Sequence, residues 1–313
     1  MSPLPATSQP SDPRAQTLPG RPDHFIIGWM IAVHVLGFAA LFFATWQGWL
    51  AWAVLHFATG CIGITLGYHR LLTHRSFKAP KWVERTLAFF GVLSLQGSPY
   101  EWVAHHRMHH SHVDTPKDPH NARAGFWFSH IGWLFRIVPE YDDDAKQRRF
   151  ARDIIADPVL MWLSRDNVQI GLQVLLGVLL WMVGGFGCMM MGIFFRLMTA
   201  YHITWFVNSA AHMWGYRNYE VDDISRNNWW VAILAFGEGW HNNHHAHPDV
   251  APAGIKWWEF DLTFLIIRGM ARLGLAWDIK LPPQSDAVAA GRFDKIGGSG
   301  GVPVVARAVA NEK

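Results

Sequence analysis

The sequence predicts an all-α integral membrane protein with four transmembrane helices in two hairpins and a helical cap on the cytoplasmic side. Three features favour this fold: long apolar runs, many tryptophans and an uneven distribution of basic residues. Half of the 313 residues are hydrophobic, only 16% are charged, and 18 are tryptophan. Apolar runs bordered by tryptophan are typical of bilayer-spanning helices. The net charge of +3 is too small to indicate a nucleic-acid partner.

Four nearly uncharged runs are each long enough to cross the bilayer, which takes about 20 helical residues. The predicted spans are 25–46, 49–68, 168–186 and 189–210. Tight turns connect the first span to the second and the third to the fourth, and glycines mark the second turn. The only formal charge in the second hairpin is Arg196, which is expected to snorkel toward the interface.

Lysine and arginine predict the orientation of these spans. The two tight turns carry neither residue, whereas the segment between the hairpins carries many of them. The positive-inside rule therefore places this segment and both termini in the cytoplasm. The cap is expected to comprise 69–167 and 211–280, including amphipathic stretches at the inner membrane interface.

Both ends of the chain are expected to be disordered tails, which leaves 23–280 as one membrane domain. Residues 1–22 are rich in Pro, Ser and Thr, and no apolar run begins before about Phe25. Residues 281–313 contain a glycine-serine run.

Clustered histidines point to a function. Nine of the 18 histidines fall into four groups that are far apart in sequence but lie on the same predicted side of the membrane. They are His69, His74, His106, His109, His110, His212, His241, His244 and His245. The other nine are expected to be ordinary structural residues. These are His24, His34, His56, His105, His112, His120, His130, His202 and His247.

The spacing within the groups supports metal binding. Two groups repeat the spacing i, i+3, i+4, which places three histidines on one face of a helix. His69 and His74 are five residues apart and do not share an α-helical face, so His74 is expected to follow the end of the helix. Imidazole is a good ligand for iron, copper or zinc. Nine histidines are too many for one ion, so the sequence predicts two metals.

The segments around these histidines carry a distinctive set of motifs. The segments are 69–78, 101–110, 118–121, 125–133, 205–212 and 237–245. Together they resemble the membrane fatty acyl desaturases of the stearoyl Δ9 type, nearest to the cyanobacterial acyl-lipid branch. The resemblance extends from about Gly48 to about Trp277.

The resemblance implies a cofactor and a reaction. The nine histidines would hold two irons, Asn208 would contact one iron through water, and O2 would be the co-substrate in desaturation at Δ9. A bent tunnel would hold the acyl chain, with its kink set by Gln96, Trp102 and Thr204. No acid or base side chain can remove hydrogen from an unactivated methylene. No catalytic residue is therefore expected beyond the metal centre.

The resemblance also implies how the chain selects its substrate. Phe57 and Cys61 match residues that close the far end of the tunnel in related enzymes, although ordinary helix packing is an equal alternative. Arg136 matches one of two basic residues that meet the phosphates of acyl-CoA, but Ile137 stands at the second position. This departure favours an acyl chain in a membrane glycerolipid, and acyl-CoA stays open as the alternative.

Electrons are expected from an external ferredoxin or cytochrome b5. The chain has no His-Pro-Gly-Gly signature of a fused cytochrome b5 and no ferredoxin-like cysteine cluster. The basic segment between the hairpins suits an acidic donor.

Two other functions stay open at this stage. A membrane di-iron hydroxylase of alkyl or sphingolipid chains would use the same scaffold, although the segment 205–212 favours a desaturase. A metal- or haem-binding membrane protein without enzymatic activity is the second alternative. A transporter would need polar groups at mid-bilayer, where the spans offer only Arg196 and scattered histidines.

Overall fold

The computed structural model describes residues 12–283, and most of these residues are helical. The α- and π-helices are, in chain order, α1 (His24–Ala40), α2 (Trp46–His56), α3 (Phe57–Thr73, π-helical), α4 (Lys81–Val92), α5 (Pro99–Ser111), α6 (Phe126–His130), α7 (Pro139–Asp142), α8 (Asp144–Phe150), α9 (Arg152–Ile155), α10 (Pro158–Leu163), α11 (Asp166–Met190), α12 (Met191–Phe195, π-helical), α13 (Arg196–Asn208), α14 (Ala210–Met213), α15 (Trp229–Leu234), α16 (His241–Ala246) and α17 (Leu262–Arg272). Short 3₁₀ turns occupy Pro13–Ala15, Leu41–Phe43, Ala122–Ala124 and Gly132–Phe135. The predicted all-α class is confirmed as mostly helical, and the only described strands are β1 (Arg21–Pro22) and β2 (Arg136–Ile137), which pair antiparallel.

Three of the described helical stretches are long and apolar enough to cross a membrane. They are His24–Phe43, Trp46–Thr73 and Asp166–Met213. The first begins behind Asp23, whose carboxylate accepts a hydrogen bond from the backbone N–H of Ile26 and so caps the helix. Thr45 caps the second in the same way, through the N–H of Gly48.

The third stretch folds back on itself. Its 48 residues are more than twice the number that one crossing needs, about 20. At Gly185 the backbone has φ +74° and leaves the helical conformation, which glycine allows at little cost. Arg196 then donates a hydrogen bond of 3.3 Å to Gln173, although a straight helix would separate these residues by about 35 Å. The two arms therefore pack against each other.

Arg196 does not reach the interface, so the prediction that it snorkels is wrong. The residue is 0% exposed. Its guanidinium donates hydrogen bonds to the carbonyl oxygens of Gly192 and Leu93, and to the side chains of Thr59 and Gln173. Polar groups of the surrounding chain thus accept the hydrogen bonds that a snorkelling side chain would donate to water.

Close packing between α3 and α4 positions the end of α3. A Cβ placed on Gly63 would lie 2.4 Å from the backbone nitrogen of Gly91. One placed on Gly91 would lie 2.3 Å from the ring of Tyr68. Only glycine permits this approach of the two backbones. The contact holds the last turn of α3, which carries His69, against α4. The predicted cap, 69–167 and 211–280, corresponds in the structure to residues 74–165 and 214–283, which are called the cap from here on.

A buried arginine ties the same turn of α3 to the second half of the cap. Arg70 is 3% exposed, and it pairs with Glu238 at 3.0 Å and Asp261 at 2.9 Å. It also donates to the carbonyl oxygen of Ala251 at 2.8 Å. Asp261 also caps α17 through the N–H of Phe264, so the carboxylate of Asp261 links α17 to α3.

The N-terminal segment corrects another prediction. Residues 12–22 were expected to belong to a disordered tail, but the structure packs them against the cap. Asn121 donates two hydrogen bonds to backbone carbonyls of this segment, at Arg14 and Gln16, and β1 pairs with β2. The segment has no apolar periodicity, so its partners are visible only in three dimensions. Residues 1–11 and 284–313 of the predicted tails lie outside the described residues.

Candidate metal centre

The nine clustered histidines lie in two adjacent groups. The first contains His69, His74, His106, His110 and His244. The second contains His109, His212, His241 and His245. Within each group, one possible ligand atom per residue lies within 4.8 Å of all the others. The four sequence groups therefore converge, and each group of the structure could hold a metal ion.

Local backbone structure explains how His69 and His74 meet. The N–H of His74 donates to the carbonyl oxygen of His69 at 3.1 Å, which is the i→i+5 pattern of a π-helical turn. Such a turn stacks residues five apart, and the two ring centroids are 4.7 Å apart. His74 follows the end of α3 as expected. The π-helical turn places the ring of His74 on the same side of α3 as the ring of His69.

A capping box starts the helix that carries three further histidines. Ser98 accepts from the N–H of Glu101, and Glu101 accepts from the N–H of Ser98. The helix α5 then presents His106 and His110 one turn apart, with their Nε2 atoms 3.1 Å apart. His109 lies between them and faces the second group.

The distances between ring nitrogens fit metal ligation. Three Nε2 pairs in the first group are 3.0–3.2 Å apart, and His212 and His241 are separated by 3.0 Å in the second. Ligands that bind at right angles, with bonds of about 2.1 Å, lie about 3 Å apart. The Nε2 atoms of His74, His109 and His245 are buried without a hydrogen-bond partner among the described residues. A bound cation would satisfy all of these atoms.

Burial favours the neutral form of six of these imidazoles. It lowers their pKa well below the ordinary value, with help from neighbouring histidines. These are His74, His106, His109, His110, His241 and His244. A histidine must be neutral to bind a metal, so these six are ready for ligation at neutral pH.

Four carboxyl groups contact Nδ1 atoms of the ligands, and their role was not predicted from the sequence. Asp118, Asp114 and Asp223 each accept a hydrogen bond from the Nδ1 atom of one histidine. Glu238 lies beside the Nδ1 atom of His69, and in all four pairs Nε2 is left free for a metal. The pairs are His69 with Glu238 at 2.8 Å, His109 with Asp118 at 2.9 Å, His212 with Asp114 at 3.2 Å, and His245 with Asp223 at 2.9 Å. Asp118 and Glu238 stand inside the conspicuous motifs, and that placement was the available signal.

The four carboxylates differ in their pKa values. Burial by itself raises the pKa of Glu238 and Asp114. Arg70 outweighs it for Glu238, and His212 outweighs it for Asp114, so both pKa values fall to about 2. Asp223 is lowered further by His245. Burial dominates at Asp118 and raises its pKa to about 8. A cation held by His109 would favour its ionised form.

His120 lies beside the second group, although it was expected to be an ordinary structural residue. Its ring centroid is 4.1 Å from that of His109, and His109, Asp118 and His120 form a third cluster of possible ligand atoms. The same residue borders the cavity described next. The motif 118–121 contains it, but spacing alone did not distinguish it from other isolated histidines.

A cavity of about 380 Å³ reaches the first histidine group. Gln96, Trp102, Thr204 and Asn208 all line it, together with His106. Trp102 stacks on His106 with ring centroids 4.9 Å apart.

The cavity has both apolar and polar lining residues. Its apolar walls include Met30, Leu95 and Tyr201, while Arg136 and Asp142 lie among its polar residues. This lining suits an apolar chain that carries a polar group.

The other predicted substrate residues have different surroundings. Phe57 is 41% exposed and packs against Phe236, and Cys61 is buried within 3.8 Å of Thr263. Neither lines the cavity. Arg136 does line it, but its guanidinium already donates to the N-terminal segment, at Thr17 and Leu18.

A second, more polar opening leads to the histidines from another side. It has a volume of about 820 Å³ and is lined by both His110 and His245, one from each group. Arg14, Arg123 and Asp222 are among its other residues. Solvent-borne species could therefore approach both groups without passing through the first cavity.

Comparisons with known proteins agree with the geometry. A family model described as fatty acid desaturase matches residues 47–279. The chain is 47% identical to the sn-1 stearoyl-lipid 9-desaturase of Anabaena variabilis, over 82% of this chain and 94% of that protein. It is 45% identical to the sn-2 palmitoyl-lipid 9-desaturase of Nostoc sp. (strain 36), over 80% and 88%. It is 42% identical to the icosanoyl-CoA 5-desaturase of Limnanthes douglasii, over 82% and 72%.

Proposed function

This chain belongs to the fatty acid desaturase family, and we propose that it introduces a Δ9 double bond into a saturated acyl chain of a membrane glycerolipid. The observation that carries the proposal is the convergence of nine histidines into two groups beside an apolar cavity. The two relatives above that are most like this chain are named as lipid 9-desaturases.

The two groups would each hold one iron. His69, His74, His106, His110 and His244 would bind the first. His109, His212, His241 and His245 would bind the second, with Asn208 contributing through water. Two irons and O2 supply the oxidising power that removes hydrogen from unactivated methylenes. The protein supplies the ligand arrangement and a cavity beside it.

The cavity residues would fix which carbon atoms react. Trp102 stacks on His106, so an acyl chain that lies against Trp102 passes one ring away from the first group. Gln96 and Thr204 border the same stretch. Holding the chain rigidly at this point is the main contribution that the side chains make to the rate.

The membrane topology is part of the proposal. The fold-back at Gly185 would divide the third apolar stretch into two crossings, which makes four spans in two hairpins. The absence of Lys and Arg from both turns supports a cytoplasmic location for the cap and both termini.

The charged residues of the cavity favour a lipid carrier over acyl-CoA. Asp23 and Asp142 line the cavity, and Arg136 is already bound to the N-terminal segment. A CoA moiety carries several phosphate charges, which these carboxylates would repel.

An external ferredoxin or cytochrome b5 would supply electrons. The polar opening over His110 and His245 offers a short route from the surface to both groups.

Expression in a host that lacks desaturation tests the activity. Gas chromatography of the host lipids should show a new Δ9 monoene, and the variant His109→Ala should not produce it. A hydroxylated acyl chain would instead favour the hydroxylase alternative. Purified enzyme with a reducing system should convert stearoyl lipid in vesicles faster than stearoyl-CoA, and the reverse result would contradict the lipid carrier.

Chain-length selection by Phe57 and Cys61 needs a separate experiment. Phe57→Ala should shift the product profile toward longer chains if this residue closes the tunnel. An unchanged profile would restrict Phe57 to packing against Phe236. Leu50→Ala is a suitable control, because Leu50 lies on α2, the helix directly before Phe57, and is 56% exposed.

A further inference from the structure

The two histidine groups have very different electrostatic surroundings. Three of the four histidines in the second group donate to a carboxylate: His109 to Asp118, His212 to Asp114 and His245 to Asp223. The side chains of Asp114 and Asp118 are 1% and 0% exposed, so solvent screens them little. An ion at this position would have three carboxyl groups one imidazole away.

The first group has much less negative charge beside it. Only His69 contacts a carboxylate, that of Glu238, and Glu238 also pairs with Arg70. Arg70 binds Asp261 as well, so its positive charge offsets part of the negative charge of this network. No described carboxylate contacts His74, His106, His110 or His244.

This asymmetry has a direct electrostatic consequence. Negative charge close to a metal stabilises the ion with the higher positive charge, and partners of the ligands also raise the donor strength of the imidazoles. The three aspartates beside the second position offset more of the charge of Fe³⁺ than the single, Arg70-paired glutamate offsets at the first.

We propose that the two iron positions are redox-inequivalent, with Asp114, Asp118 and Asp223 making the four-histidine position the one that favours Fe³⁺. The inference rests on the proposed di-iron function and deepens it. When one electron enters the diferric protein, it converts Fe³⁺ to Fe²⁺ at the five-histidine position. The second electron reduces the four-histidine position at a lower potential. The three aspartates are positioning residues that act through the imidazoles.

A redox titration of the full-length protein tests the proposal. The protein is loaded with ⁵⁷Fe, reduced stepwise with dithionite, and followed by Mössbauer spectroscopy. Two one-electron steps are expected. In Asp223→Asn, the lower of the two reduction potentials should rise. The equilibrium constant of that reduction should increase about 10–100-fold, the range by which loss of an outer ligand partner changes metal affinity. Each factor of ten corresponds to about 59 mV.

The sign of two further shifts distinguishes redox tuning from a merely structural effect. Glu238→Gln should raise the higher of the two reduction potentials and so widen the difference between them, whereas Asp223→Asn should narrow that difference. Asp222→Asn is the matched control, because Asp222 is the neighbouring aspartate and is exposed to solvent, and it should move neither step. Asp118→Asn is the second variant if Asp223→Asn does not fold.

The possible failures can be told apart. Wild-type protein that binds two irons but reduces them at one potential would overturn this inference and leave the proposed function standing. The inference also fails if Asp223→Asn and Glu238→Gln move the same step. Protein that binds fewer than two irons would overturn the proposed metal centre and this inference with it.

Discussion

At the scale of single residues, charges in this protein are held by specific partners. Asp153, which is partly exposed, is an example outside the metal centre. It accepts from Arg75 at 2.6 Å and from Arg107 at 2.7 Å, and Arg107 also donates to the carbonyl oxygens of Leu72 and Thr73. The pair thus connects the end of α3 to the cap.

Asp153→Asn should destabilise the protein in a pH-dependent way. Burial opposes ionisation, but hydrogen bonds from Arg107 and Arg75 prevail and lower the pKa of Asp153 to about 2. The contribution is therefore complete above about pH 4, the unfolded pKa, and is lost as the pH falls toward 2. At pH 7 the loss should be about 1–2 kcal/mol, because solvent partly screens the pair. Thermal unfolding in detergent between pH 3 and pH 7 measures it.

The control for this prediction is Asp249→Asn. Asp249 pairs with Lys280 on the surface, so its loss should stay within about 0.5 kcal/mol. Equal effects of the two variants, or a difference that does not shrink at low pH, would contradict the role of Asp153.

Arg196 should tolerate an apolar replacement of similar size. Three of its four acceptors keep other partners: Gly192 is in a helix, Leu93 also accepts from Gln173, and Thr59 donates to Leu55. Replacement of a buried charge by a well-packed apolar side chain is often neutral. Arg196→Met should therefore change stability by less than about 1 kcal/mol, and Arg196→Ala should cost about 2–4 kcal/mol through the cavity it leaves.

Unfolding temperatures of the two Arg196 variants in the same detergent measure the difference. Equal, large losses in both variants would show that the charge itself, rather than its volume, stabilises the helices.

At the scale of secondary-structure elements, backbone contacts place the ligands. The packing of α3 on α4 through Gly63 sets the position of His69. The π-helical end of α3 then brings His74 to the same side. An α-helical α3 would direct these two rings to different faces.

Gly63→Ala should separate α3 from α4. The added methyl group would overlap Gly91 and Phe90 of α4, and such overpacking typically costs about 1–3 kcal/mol. Bound iron should fall with stability, because His69 moves with the helix. Iron content and unfolding temperature are the measurements.

Gly171→Ala is the matched control for this prediction. Nothing lies within 4 Å of a Cβ at Gly171, in the interior of α11, so alanine should stabilise that helix by about 0.5–1 kcal/mol. A Gly63→Ala protein as stable as Gly171→Ala would disprove the close contact.

At the scale of the whole molecule, the metal centre joins parts of the chain that are distant in sequence. Ligands come from α3, α5, α14 and α16, so bound ions act as cross-links between the helices and the cap. An ion that binds only the folded protein adds about 4 kcal/mol when its free concentration is 1,000 times Kd.

Removal of the metal should therefore lower the unfolding temperature, and acid should lower it further. Burial holds the pKa of His106, His110 and His244 well below the ordinary value, which is about 6.5 in the unfolded chain. The unfolded state then takes up protons that the folded state cannot, so stability is lost as the pH falls below about 6.5. Thermal unfolding of chelator-treated protein from pH 8 to pH 5 measures the slope.

Substitution of one buried histidine, His106→Gln, should flatten this slope in metal-free protein. His24→Gln serves as the control, because His24 is exposed at the start of α1, and it should leave the slope unchanged. A metal-free protein with no pH dependence between pH 8 and pH 5 would contradict the buried, neutral state of the ligands.

The amino-acid sequence by itself determined the properties that are local. Long apolar runs predicted the helices, and the repeated spacing of histidines predicted that they share faces, because both depend only on neighbours along one helix. The motifs around the histidines were sufficient to indicate the family. The nine histidines that the structure brings together were all identifiable in this way.

Tertiary structure alone decided everything that depends on residues far apart in the chain. It divided the histidines into five and four, paired His212 with Asp114, which is 98 positions away, buried Arg196, and packed residues 12–22 on the cap. Such pairs leave no periodic signal, because an isolated Asp has the same sequence appearance on the surface and beside a ligand. The charge around each metal position is therefore a property of the fold, although every residue that supplies it is present in the sequence.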